Sequence, residues 1–266
     1  VHAPARELDV ANSGTTLRLA MGSLAARQGR VVGDVLAGRD AEFPAVVGSV
    51  ALRTLGLDVA ATGLTEAAAR AAGLDVAVAW GTFDDRSPFH PARERIYLKV
   101  VHEAGCRRLV GLQAVGRGDV TRRVDVFAAL LRQDADLDEL LDLEWCYAPP
   151  FNDALDPLHG LAAAALNACG DTLVQQAPHH ALGGATVLDV RTASEVASAD
   201  LPLPPGATHV ALEELRDRLD QIPAGDVVVV CAKGPRSVEA ARLLAARWER
   251  PVRYLAGGVA FGVAVE

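Results

Sequence analysis

The stretch VVVVCAKGPRSVEAARLLAA, Val227 to Ala246, decides the fold of the C-terminal part of this chain. Four consecutive valines read as a strand buried on both faces. SVEAARLLAARW reads as a helix, because its apolar residues recur at helical spacing. Cys231 then stands where a parallel-sheet strand ends and a helix begins, which is where open α/β sheets place ligands. Working outward, ATVLDVR reads as a strand, SEVA as a short helix, THVAL as a strand, LEELRDRLDQI as a helix and VRYLAGG as a last strand. Strands alternating with helices predict an α/β unit with a parallel sheet. Upstream, the polar, Pro- and Gly-containing DTLVQQAPHHALGG reads as a connector, placing a linker at 169–180 and the α/β unit at 181–266.

The pattern before the connector differs. LRLAMGSLAARQGRVVGDVLAG predicts one helix, Leu17 to Gly38, stopped by its glycine. AVVGSVALRTLGLDVAATGLT is strand-like, and TEAAARAAG is a short helix capped by Thr65 and ended by Gly73. DVAVAWGTF is a strand, and ERIYLKVVHEAGCRRLVGLQAVG holds two strands with a hairpin turn at Gly105. VTRRVDVFAALLRQ and DLDELLDLEW are amphipathic helices, the second opened by acids that suit a helix N-terminus. A proline-stopped loop and a further helix complete an α+β unit, an antiparallel sheet with attached helices, over 42–168.

Composition narrows the function. The 266 residues carry a formal net charge of −8, which argues against nucleic acid as a partner. No apolar run is long enough to span a bilayer, so no membrane partner is expected. The cysteines, Cys106, Cys146, Cys169 and Cys231, form no C-x-x-C or Cys/His cluster, so no metal site is expected. Sparse cysteines fit a reducing cytoplasm. His90, His102 and His159 are scattered without metal spacing. No P-loop appears and no G-x-G-x-x-G follows a strand. The sequence opens on Val1 in place of a methionine, and a longer parent chain is expected.

The loop CAKGPRS carries the chemistry. Its backbone N–H groups form a nest at the positive end of the helix that begins near Ser237. Lys233 and Arg236 are expected to add full positive charges, and Gly234 permits the tight backbone path. Together with Ala232 and Ser237 these residues make an anion cradle that favours thiolate over thiol at Cys231. Such a thiolate can attack a sulfane sulfur and hold it as a persulfide. A buried structural cysteine is the alternative reading.

CAKGPRS resembles the active-site loop of the rhodanese (sulfurtransferase) family, C-x-x-G-x-R-S. VLDVRTASEVASADLPLPPGATHVALEEL resembles that family's first half, and YLAGGVAF its closing L-x-G-G-x-x-x-W, with Phe261 near the usual tryptophan. The match runs from about Ala181 to Phe261. It implies Cys231 as sulfur acceptor, Arg236 as an anion-binding residue, and Asp189 and Arg191 as support for the loop. ASADLPLPPGATHV departs from the family's x-G-H-I-P-G-A beside the entrance. Cysteine phosphatases of related fold use a longer stretch between Cys and Arg to encircle phosphate. The shorter Ala232, Lys233, Gly234, Pro235 suits a sulfur atom.

GSLAARQGRVVGDVLAG, VAATGLTEAAARAAG, LVGLQAVGRGDVTRRVDVFAALL and YAPPFNDALDPLHGLAAAALN resemble the C-terminal part of the coenzyme A-disulfide reductases, flavoproteins of the pyridine nucleotide-disulfide oxidoreductases. Phe43 to Asn167 matches their dimerisation domain, and 1–41 the tail of their FAD-binding domain. A subgroup carries a C-terminal rhodanese domain and is linked to NAD(P)H-dependent reduction of coenzyme A disulfide, persulfides or polysulfides. The resemblance implies a homodimer and, in a full reductase, FAD and NAD(P)H. Gly22, Arg27 and Gln28 would lie near the flavin. Tyr147 would reach the partner subunit's active site. Phe89-His90-Pro91 replaces the family's Y-Y-P, with His90 the candidate substitute, and Ala26 replaces an asparagine. The glycine-rich FAD motif, the NAD(P)H domain and the flavin-side cysteine are not within these residues. The expected activity is sulfur transfer from thiosulfate, a polysulfide, or a coenzyme A or other thiol persulfide. The competing reading is a dimerising scaffold with a vestigial rhodanese fold.

Overall fold

The computed structural model describes residues 14–170, 172–178, 184–198, 206–223 and 225–261. The first unit opens on helix α1, Gly14–Leu36, followed by β1, Val50–Thr54, and β2, Leu57–Gly63. These strands form a hairpin whose turn residues Leu55 and Gly56 both have positive φ, the two-residue turn that matches strand twist. Helix α2, Glu66–Ala71, is capped by Thr65 as expected, its side chain accepting from the Ala68 N–H. Strands β3, Val76–Asp84, β4, Arg95–Glu103, and β5, Leu109–Gly116, complete an antiparallel sheet in the order β1-β2-β5-β4-β3. The β4–β5 turn puts Arg107, not Gly105, at positive φ; Arg107 there makes an ion pair with Asp138.

Helices α3, Thr121–Leu131, α4, Leu137–Leu141, and α5, Pro157–Ala168, cover one face of this sheet. Asp136 and Glu139 close a capping box on α4, and Asp156 with His159 does the same on α5. The apolar stripe Leu158, Leu161, Ala162, Ala165 of α5 meets Leu98, Val100 and Leu112 of the sheet and Val124 and Phe127 of α3.

In the second unit a parallel sheet runs β6-β10-β9-β7-β8. Its strands are β6, Leu173–Gln176, β7, Thr186–Asp189, β8, Thr208–His209, β9, Val227–Val230, and β10, Val252–Leu255. Helix α6, Ala193–Ala197, follows β7, and α7, Pro235–Trp248, links β9 to β10. All four valines of the central β9 are buried. Val238, Ala241, Leu244 and Ala245 of α7 pack among that sheet's core residues.

Two expectations change here. The segment read as a linker, 169–180, contains β6, which pairs along its whole length with β10 and belongs to the second sheet. LEELRDRLDQI is not one helix but two 3-10 turns, Leu215–Asp217 and Leu219–Gln221, because Arg218 between them leaves helical geometry at φ −125°. No helix among the described residues is long and apolar enough to cross a membrane.

Candidate functional site

The chain leaves β7 toward β8 and leaves β9 toward β10 on the opposite side. This reversal falls at the C-terminal ends of β7 and β9, the usual ligand position in an open parallel sheet. Cys231 is the first residue beyond β9, and only 1% of it is exposed. The Gly234 N–H donates to its Sγ at 3.1 Å. Ser237 Oγ lies 3.6 Å from the same sulfur and itself donates to the Gly234 carbonyl at 2.6 Å. Gly234 has φ +120°, a backbone state that L side chains avoid. Pro235 then starts α7, where its missing N–H and fixed φ are favourable. The sulfur therefore sits at the positive end of a 14-residue helix.

A second turn clamps the loop from the other side. The Val259 N–H donates to the Cys231 carbonyl at 2.9 Å, and the Ala260 N–H to that of Ala232 at 3.0 Å. Gly258 makes this possible: a Cβ there would lie 2.5 Å from the Cys231 oxygen and 2.6 Å from the Ala232 carbonyl carbon. Both obstacles are backbone, and φ is +66°. Gly258→Ala is therefore expected to lower stability by about 2–4 kcal/mol, from strain at an unfavourable φ and overpacking. Thermal unfolding measures it; a melting temperature equal to that of the unmodified chain contradicts the clamp.

The loop cations depart from the sequence expectation of two unopposed charges. Arg236 is held by Glu195, Nη1 and Nη2 each 2.6 Å from a carboxylate oxygen. Lys233 Nζ lies 2.6 Å from Asp84 Oδ2, across the boundary between the units. Glu195 is fixed from below as well, because its Oε2 accepts from the Thr192 N–H at 2.9 Å and from the Thr192 hydroxyl at 3.0 Å. The Arg236 guanidinium first, and the Thr192 donors with it, hold the Glu195 carboxyl down at about 2. The sequence reading missed both acids. Glu195 had a local sign, its place three residues after Thr192 at the start of the short helix SEVA. Asp84 had none.

Two family models match the chain. Residues 54–159 match the pyridine nucleotide-disulphide oxidoreductase dimerisation domain, and 174–260 match the rhodanese-like domain. The chain joins a dimerisation domain of that oxidoreductase family to a rhodanese-like domain. The NAD-dependent persulfide reductase of A. fulgidus superposes with a TM-score of 0.83 at 34% identity, over 91% of this chain and 44% of that one. Reduced Bacillus anthracis CoADR-RHD superposes with 0.76 at 30% identity, over 88% and 42%. Both superpositions run across the two domains. In sequence, the CoA-dependent NAD(P)H sulfur oxidoreductase of Pyrococcus abyssi is 35% identical over 136 residues, 51% of this chain and 30% of that protein. The chain thus spans less than half the length of these relatives.

Within the rhodanese-like domain Asp189 pairs in register with Val230, directly before Cys231. Its carboxylate holds Arg191 in a buried ion pair at 2.7 Å, and the Arg191 carbonyl lies 2.8 Å from His209 Nε2. The other expected site residues lie outside the rhodanese-like domain. In the dimerisation domain Tyr147 is exposed, and half-buried His90 accepts a turn N–H from Ala92 at Nδ1. Gly22, Arg27 and Gln28 are exposed on α1, with the Arg27 guanidinium 5.2 Å from the Phe43 ring centre. A cavity of about 700 Å³ opens between the domains beside Lys233 and Pro235, walled by Trp80, Phe83 and Leu215. Gly234 also lines it, and Cys231 is not among its walls.

Proposed function

We propose that Cys231 accepts sulfane sulfur and carries it as a persulfide, within a longer flavoprotein that reduces persulfides, polysulfides or coenzyme A disulfide. The observation that carries this is the Gly234 N–H aimed at Sγ from the start of α7. An N–H and a helix N-terminus aimed at the sulfur favour negative charge that builds up there during transfer. The Cys231 thiolate attacks the outer sulfur of a donor R–S–SH. A new S–S bond forms at Cys231, the donor S–S bond breaks, and RS⁻ leaves; with thiosulfate the leaving group is sulfite. An acceptor thiolate then attacks the outer sulfur, forms its own persulfide and restores the Cys231 thiolate. Ala232, Lys233, Gly234, Arg236 and Ser237 shape the cradle around these anions, while the buried Asp189–Arg191 pair supports its floor.

In the full protein, FAD and NAD(P)H would supply the reducing electrons. Gly22, Arg27 and Gln28 fit only the margin of a flavin site, for α1 is exposed along much of its length, with Val32, Val35 and Leu36 in solvent. The proposed assembly is a homodimer through the dimerisation domain, with Phe89, Tyr147, Phe151 and Leu155 among the exposed apolar side chains available to such a contact. Tyr147 and His90 are then proposed to serve the partner's reductase site.

Mass analysis after exposure to a thiol persulfide tests the central claim. The Cys231 peptide is expected to gain the mass of one sulfur atom, reversibly with dithiothreitol. Exposed Cys106, Cys146 and Cys169 provide the internal control. Sulfur found on those three and not on Cys231 overturns the reading in favour of a scaffold.

A further inference from the structure

Along β3, Trp80, Thr82 and Asp84 share one face, because side chains alternate along a strand. Each meets a different part of the sulfur loop's surroundings. Trp80 packs edge-on against Phe261 at 5.4 Å between ring centres, and Tyr97, paired with Thr82 on β4, packs against the same ring at 5.1 Å. Thr82 Oγ1 is buried beside Gly257, where a Cβ would lie 3.1 Å away. Asp84 takes Lys233. Phe261 and Gly257 flank the clamp that holds the Cys231 and Ala232 carbonyls, so an edge strand of the dimerisation domain touches the cradle through both its cation and its clamp.

We propose that Asp84 is a positioning residue that sets the donor selectivity of Cys231 by engaging Lys233 from the neighbouring domain. The proposal rests on Cys231 being the sulfur acceptor. With Lys233 on Asp84 and Arg236 on Glu195, each loop cation is matched by a carboxylate. The Gly234 N–H and the α7 terminus are aimed at Sγ with no carboxylate set against them, and Ser237 Oγ lies 3.6 Å from it. A dianionic donor such as thiosulfate gains most from an unmatched cation. A thiol persulfide, with at most one negative charge at the reacting sulfur, gains less. Asp84 therefore biases the site toward thiol persulfides. The Asp84 side chain is 13% exposed and that of Lys233 34%, so the pair is partly screened and its effect on an incoming anion is modest.

The test compares Asp84→Asn with the unmodified full-length chain, using thiosulfate and glutathione persulfide as donors. Asparagine keeps the size and removes the charge, releasing Lys233. The ratio of kcat/KM for thiosulfate to that for the persulfide is expected to rise on the order of fivefold, through KM, as one added charge near an anion predicts. The rise should shrink at high salt and vanish in the Asp84→Asn/Lys233→Gln double variant. A second readout needs no turnover: alkylation of Cys231 by anionic iodoacetate, relative to neutral iodoacetamide, should rise in the same variant. A purely structural latch changes both donors, and both alkylating agents, alike. That outcome, or an unchanged alkylation ratio, overturns the role of Asp84 while leaving sulfur transfer intact. Absence of transfer from either donor in the unmodified chain overturns the functional reading, and the selectivity role with it, even if the alkylation ratio still responds.

Discussion

Replacing Cys231 by serine is expected to reduce sulfur transfer to the uncatalysed background for every donor. The nucleophile is the thiolate, and a serine hydroxyl stays protonated at neutral pH even beside a helix N-terminus. Nor can an oxygen at this position hold a second sulfur as a reducible persulfide. The fold should tolerate the change. Serine is slightly smaller than cysteine, and the buried hydroxyl would find the Gly234 N–H and Ser237 Oγ as partners. Sulfide or thiocyanate production, read beside thermal unfolding, separates chemistry from stability. A Cys231→Ser protein that transfers sulfur at the unmodified rate overturns Cys231 as the sulfur acceptor.

Arg236→Ala is expected to slow transfer by about 30- to 1000-fold, the range for removing one charge-assisted contact to a developing anion. The mechanism is double. The substitution removes a cation from the cradle, and it strands the Glu195 carboxylate that the cation had matched at 2.6 Å. Glu195 cannot swing away easily, because Thr192 holds it from two donors. An unmatched carboxylate then faces incoming anionic donors. Neutralising it should repair part of the damage, so Arg236→Ala/Glu195→Gln should be faster than Arg236→Ala alone. Stability should change little, since the pair is about one-third exposed and such pairs contribute about 1 kcal/mol or less. Steady-state kinetics on the three variants decide it. A double variant slower than the single one places Glu195 in a catalytic contact of its own.

Local chemistry carried much of this in the sequence itself. Four valines followed by a Gly-Pro turn and an amphipathic run can form little but a buried strand and a helix. Hence β9, Cys231 and α7 were legible before any fold was known. The cap Thr65, the acids that open α4 and the β4–β5 hairpin were legible for the same reason: each is decided by neighbours within a few residues. Where the reading slipped, the signal was short or mixed. Strand β6 has four residues, two of them glutamine, with Val174 exposed, and it becomes a strand only because β10 offers it a ladder. The Leu215–Gln221 segment has helical spacing, yet Arg218 breaks the helix and Leu215 still reaches the core through a 3-10 turn.

The charge state of the cradle was legible only in part. CAKGPRS specifies the cations, and a nest and helix terminus follow from its own backbone. What opposes those cations does not. Glu195 lies 41 residues from Arg236 and Asp84 lies 149 residues from Lys233. Ion pairs over such separations depend on how α6 and β3 are placed in space, and no local pattern encodes that. The sequence by itself determined the loop around Cys231, the nucleophile proposed here. Only the tertiary structure decided how much positive charge the loop presents, because carboxylates delivered by distant elements set the field at the sulfur.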